Sequence, residues 1–351
     1  MKKTLMLASA VAVSFTMASC MKSEFVNNEQ ITTLTVKLPE VVTKAGEGSL
    51  VNTLYYEVYT HDGVKIADNK TEIIGQAELS LNLMHNAEYK VLLWAQAEGD
   101  TKETTAPYNA EDLKNVAMNY NLTRDTPGAG NDELRDAFTN CVTIHVGKDQ
   151  NKTITLKRPF AQLNFVAFDY NTTADFDVDK FGELTLISSL IEIENVGATF
   201  NVETGYANSN NSTAVHPYFS SNNIVDLNND NACDLLTINK AQTSNIEGVE
   251  YPNYHISMNY ILLPIVEDTK MPVAKLNVRA EFVAAYAYEK DGKVEYCGQH
   301  TQFFKKDTGD YVPVDAKQNY KTNIRGFIFT KADVYTVTTA PDFEGEYTPE
   351  Y

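Results

Sequence analysis

Positive charge, cysteine and helical periodicity are all scarce in this 351-residue sequence. Lysine and arginine number 29 against 47 acidic residues, a formal net charge of -18. That balance argues against nucleic acid and anionic lipid headgroups as partners, since both are held by basic surfaces. Of the 4 cysteines, none stands in a Cys-x-x-Cys spacing. Cys141, Cys233 and Cys297 are odd in number and far apart, so neither a disulfide framework nor a zinc site is signalled. Either one pair bridges in an oxidising compartment or the thiols stay free. The 6 histidines are scattered singly, without a His-x-x-x-His or Glu-x-x-His pairing, which removes the usual zinc hydrolase signature. No serine carries a Gly-x-Ser-x-Gly elbow. Gly128-Ala129-Gly130 lacks the third glycine of a dinucleotide fingerprint.

Two acidic clusters come nearest to a metal site. Asp226, Asn228 and Asp230 have the spacing that opens a calcium loop, but the glycine due sixth is Asn231 and the acid due twelfth is Thr237. Asp175, Asp177 and Asp179 share the spacing and the omissions. Both read as solvated loops, so no metal and no cofactor is expected. No carboxylate pair is singled out for glycoside hydrolysis. The chain does not read as an enzyme.

What is present begins at the N-terminus. Lys2 and Lys3 precede an apolar run over residues 5–15, too short to span a membrane. The run ends in Met17-Ala18-Ser19-Cys20, which resembles the lipobox of bacterial lipoproteins. By that resemblance residues 1–19 are a signal peptide and the Cys20 thiol receives a lipid. Acyl chains contribute about 0.8 kcal/mol per buried methylene, enough in pairs to hold a protein on a membrane.

The mature chain is a succession of short strands separated by turn residues. Residues 31–38 alternate, with Leu34, Val36 and Leu38 on one face and Thr33, Thr35 and Lys37 on the other, until Pro39 stops the strand. A linker follows, with Lys44-Ala45 in its middle. Further strands are expected over 54–59, 77–83, 89–95, 137–146, 153–168 (bulged or on an edge near Arg158-Pro159), 184–196, 199–202, 254–260, 276–282, 324–329 and 334–337. Residues 110–118, with Leu113 and Val116 three apart, are the best candidate for a short helix. Residues 208–231, rich in Asn and Ser, read as a surface loop. The class is all-β, two β-sandwiches in tandem, divided at the polar stretch 171–180. The units are a tether and first strand over 20–44, an N-terminal sandwich over 45–172 and a C-terminal sandwich over 173–351.

Four ordered stretches together resemble the fimbrillin family, subunits of type V pili, and most of all its branch of exported lipoproteins with an uncharacterised domain. They are residues 89–95 (YKVLLWA) with Asp136-Ala137-Phe138, residues 156–165 (LKRPFAQLNF), residues 319–326 (NYKTNIRG), and residues 334–337 (VYTV) running into Pro341-Asp342-Phe343-Glu344-Gly345. The resemblance implies transthyretin-like sandwiches with Greek-key-type connections, an outer-membrane lipid anchor and a place on the cell surface or in a fimbrium. It further implies that a trypsin-like protease removes the first strand, Leu34, Val36 and Leu38 with it, and that another subunit's strand fills the groove. Where the family's cut follows arginine, this chain has Lys44 before Ala45. The donor strand would be the C-terminal stretch with Tyr335, Val337 and Thr339 on one face. Three other readings compete. In one, residues 31–38 are a permanent edge strand and Lys44 an ordinary linker residue. In another, the chain is a monomeric surface lipoprotein that binds glycan or host protein through aromatics such as Trp94 or Tyr206. The third is a secreted hydrolase with catalytic carboxylates on a sandwich.

The Cys20→Ala precursor is expected to stay unprocessed and to take up no acyl label; palmitate labelling of the mutant at the wild-type level would overturn the lipobox reading.

Overall fold

The computed structural model describes residues 29–39, 51–98, 108–118, 135–148, 151–170, 173–175, 181–208, 212–219, 240–246, 249–263, 273–305, 310–329 and 335–341. No α-helix occurs among them. The first ten strands are β1 (Glu29–Lys37), β2 (Thr53–Thr60), β3 (Lys65–Glu72), β4 (Gln76–Met84), β5 (Glu88–Gln96), β6 (Tyr108–Asn109), β7 (Val116–Met118), β8 (Ala137–His145), β9 (Asn151–Thr155) and β10 (Ala161–Ala167). The remainder are β11 (Thr173–Asp175), β12 (Phe181–Val196), β13 (Thr199–Asn201), β14 (Tyr206–Ala207), β15 (Ser212–Phe219), β16 (Lys240–Ile246), β17 (Val249–Ile261), β18 (Val273–Lys290), β19 (Lys293–Phe304), β20 (Val312–Lys317), β21 (Tyr320–Gly326) and β22 (Tyr335–Pro341). The fold is all-β.

A three-stranded sheet, β4-β1-β9, and a four-stranded sheet, β3-β2-β5-β8, share one core. Strand β4 shows how sequence builds that core: Ala77, Leu79, Leu81 and Leu83 point in, and every residue between them is exposed. Strand β5 is buried almost throughout because both its faces are covered. Val91, Leu93 and Ala95 face the first core, while Leu92 and Trp94 belong to a second, larger cluster. That cluster lies between a five-stranded sheet, β16-β17-β10-β21-β22, and the sheet β11-β12-β18-β19, with β15 on β12 and β20 on β18.

Two devices join the halves. A small sheet, β14-β13-β7-β6, takes strands from both parts of the chain. Beside it Glu203 accepts hydrogen bonds from Lys90 at 2.7 Å and Lys114 at 2.9 Å, and these two ammonium groups hold its carboxyl below the usual range. The other device is the passage from β9 to β10, where Leu156 ends in the first core and Phe160 in the second. Between them Arg158 grips the buried Asp136 through both carboxylate oxygens, at 2.8 and 2.7 Å, and lies 4.7 Å from the Phe138 ring. Burial pushes the Asp136 carboxyl upward, and the guanidinium pulls against it.

Several expectations are corrected here. Residues 153–168 are not one bulged strand: β9 and β10 lie in different sheets. Arg158-Pro159 marks the crossing, where proline has no N–H to give a ladder. Strand β10 pairs instead with β17 and β21 of the five-stranded sheet. Residues 110–118 form a turn into β7, not a helix. There the Asn109 and Asp112 side chains accept from the Glu111 and Lys114 N–H groups, closing local turns that compete with helix. Within the expected loop over 208–231, residues 212–219 form β15 against β12. Strand β3, polar and exposed, carries too little apolar signal to be read from sequence.

Replacing Asp136 by Ala strands a buried guanidinium and is expected to cost about 3–5 kcal/mol. Urea unfolding would measure it, and a loss below 1 kcal/mol would contradict the bridging role.

Candidate functional site: strand β1 and the cleft it fills

Strand β1 is not at an edge. It pairs antiparallel with β4 along its whole length, from Glu29 opposite Met84 to Lys37 opposite Gln76. On its other side it runs parallel to β9, from Thr33 beside Asn151 to Lys37 beside Thr155. The permanent-edge-strand reading is therefore corrected: the hydrophobic face needs a partner sheet, and both backbone flanks are used. Leu34 and Val36 are fully buried in the first core, and Leu38 packs against it partly buried. Leu34 stands opposite Leu79, and Val36 opposite Ala77. The strand's exit is also fixed, with the Leu38 N–H donating to the Gly75 carbonyl at 2.8 Å and the Leu156 N–H to the Lys37 carbonyl at 2.9 Å.

The described chain stops at residue 39 and resumes at residue 51, beside the same turn. There the Ile73 N–H donates to the Asn52 carbonyl at 2.9 Å, next to Gly75 in its left-handed conformation (φ 70°). Lys44 and Ala45 fall between these stems, outside the described residues, as does Cys20. Removing β1 would open a cleft between β4 and β9, with one unpaired row of backbone groups on each wall.

Strand β22 lies at the outer edge of the five-stranded sheet, antiparallel to β21. Tyr335, Val337 and Thr339 stand opposite Gly326, Ile324 and Thr322. β1 and β22 thus belong to different sheets. Cys141 and Cys297 are free and half-buried, and burial pushes the Cys141 thiol up; Cys233 lies outside the described residues. Among the described residues no group of three or more His, Cys, Asp or Glu side chains is placed to hold a metal ion. The Asp226–Asp230 cluster, Asp177 and Asp179 fall outside the described residues.

Trp94 is fully buried, with Tyr108, Phe160 and Phe200 ring centroids at 5.3, 6.2 and 6.0 Å and its indole N–H on Gln96 at 2.8 Å. It is core and cannot meet a glycan. Tyr206 is half-buried. One site residue escaped the sequence reading: Thr32, on the inner face with Leu34 and Val36, is fully buried. The alternation that picks out Leu34 reaches Thr32 when carried two residues back.

Leu34→Ala empties the centre of this contact and is expected to cost about 2–5 kcal/mol by urea unfolding; a change under 1 kcal/mol would mean that β1 is not held by its apolar face.

Known proteins give the remaining context. A candidate adhesin of Bacteroides thetaiotaomicron is similar at 10% identity over 86% of this chain and 93% of its own, with a TM-score of 0.41. A candidate cell adhesion protein of Bacteroides eggerthii is similar at 12% identity over 90% and 97%, TM-score 0.40. The fimbrial anchor protein Mfa2 of Porphyromonas gingivalis is similar at 10% identity over 88% and 96%, TM-score 0.35. No curated protein matches in sequence. Residues 23–351 match the sequence profile of a family of unknown function, DUF6562, and the chain belongs to that family.

Proposed function

We propose that this chain is a structural or adhesive subunit of a bacterial cell-surface fimbria, non-catalytic, assembled from a lipoprotein precursor by proteolysis and β-strand exchange. The observation that carries the reading is the place of β1: a central strand, paired on both flanks, whose only covalent tie to the sandwich on its C-terminal side is the segment over residues 40–50. A cut after Lys44 leaves β1 held by non-covalent forces alone. Leu34 and Val36 contribute roughly 1.5–3 kcal/mol each by burial. A strand from another subunit can then compete for the same backbone groups, as in donor-strand complementation. The resemblance to fimbrillins supports the same order of events, with Cys20 as the lipid anchor that departs with β1 and Tyr335, Val337 and Thr339 as the strand given to a neighbour. The partners are other fimbrial subunits, a trypsin-like protease and, before processing, the outer membrane. The glycan-binding alternative loses Trp94 to the core.

Trypsin treatment of the purified precursor tests the reading: cleavage after Lys44 should yield oligomers or filaments in the presence of partner subunits, and Lys44→Ala protein should stay monomeric. Clean cutting at that site, with β1 retained and no uptake of any strand, would reject it.

A further inference from the structure

Strand β1 fits its cleft imperfectly at one end. Its in-and-out alternation runs on unbroken, but the polarity is swapped at the start of the strand: the apolar Ile31 is 65% exposed, while its polar neighbour Thr32 is fully buried. Among the described residues, the Thr32 hydroxyl has no hydrogen-bond partner. It faces Leu81 across the ladder, with Leu79 and Leu83 on the same wall, all buried in the first core. A hydroxyl buried without a partner loses its water and gains nothing in exchange. A one-residue slip gives no relief, because it would turn Thr33, Thr35 and Lys37 inward. A branched aliphatic side chain of the same shape would fill this place without the penalty.

We propose, on the strand-exchange reading above, that the cleft is matched to a strand of an unlike polypeptide carrying valine or isoleucine at the place of Thr32, and that Thr32 keeps the chain's own strand replaceable. The partner strand reads as four alternate apolar residues, at the places of Thr32, Leu34, Val36 and Leu38. A second copy of this chain does not supply it. Its β1 carries the same threonine, and the alternating sets of β22 (Tyr335, Val337, Thr339 or Thr336, Thr338, Ala340) each hold at most one branched aliphatic residue. Strand β22 is moreover already paired with β21.

The full-length Thr32→Val protein tests the pocket without any exchange, and it should unfold at higher urea than wild type. Fluorescent peptides spanning residues 29–38, with Thr or with Val at position 32, then compete for the precursor cut after Lys44. The Val peptide should bind roughly tenfold more tightly, the worth of one relieved buried hydroxyl. A peptide spanning residues 334–341 should bind weakly or not at all. If Thr32→Val is no more stable than wild type, the pocket is not apolar and the inference falls, whatever the peptides do. If the variant is more stable but no peptide enters the cut protein, the exchange reading fails and the partner assignment with it. Entry of the 334–341 peptide as tightly as the Val peptide would overturn the unlike partner alone.

Discussion

A strand inside a sheet must satisfy backbone groups on two flanks, and in the first sandwich that duty falls on β1. Its neighbours come from distant parts of the chain, β4 over Gln76–Met84 and β9 over Asn151–Thr155. Without β1 they do not touch as partners, and the sheet order β4-β1-β9 dissolves into two separate strands. An unpaired buried backbone group costs free energy comparable to a lost hydrogen bond. Strand β1 meets that demand on both flanks, and its apolar face adds burial in the first core.

The strands around β1 are held in place from outside the first sandwich. The outer face of β5 is glued to the second core by Leu92 and Trp94, so β5 cannot shift without disturbing both halves. Strand β9, one wall of the cleft, runs at once into Arg158, which is anchored on Asp136 at the start of β8. The wall and the opposite sheet are thus tied through one bidentate ion pair. In water such a pair would be worth little. Buried, it is expensive to form and more expensive to break, which favours one arrangement of the two halves over alternatives.

Much of this was legible in the sequence because alternation is a local signal. The inward set of β4 and the inner face of β1 at Leu34, Val36 and Leu38 follow from a period of two alone. The strand over residues 89–95 was legible too, and the structure supplies the reason for its nearly continuous apolar run: one face packs in each of the two cores. What could not be read was pairing across distance. Nothing near Asn151 announces that it will lie parallel to Thr33, and nothing in residues 153–168 says that the strand changes sheets at Arg158. Strand β3 was silent for another reason: an exposed edge strand carries little burial, so its sequence is free to be polar. The short helix expected at residues 110–118 rested on two apolar residues, and two Asx turns outweighed them.

The treatment of edges separates accidental pairing from the intended kind. Strand β3, the permanent edge of the four-stranded sheet, exposes Lys65, Asp68, Lys70 and Glu72. Lys65 pairs with Asp68 at 2.9 Å, and Lys70 reaches Glu98 at 2.9 Å. A strand docking there would have to strip these charges of water, the usual protection of an edge against aggregation. Among the described residues, no such charges lie on the inner face of β4, where Ala77, Leu79, Leu81 and Leu83 pack into the first core. Among the described buried side chains of β1 and β4, the polar one is Thr32 of β1. Protection of the β3 edge is therefore written into its own charges, whereas the inner backbone flanks of β4 and β9 are covered by β1 between them.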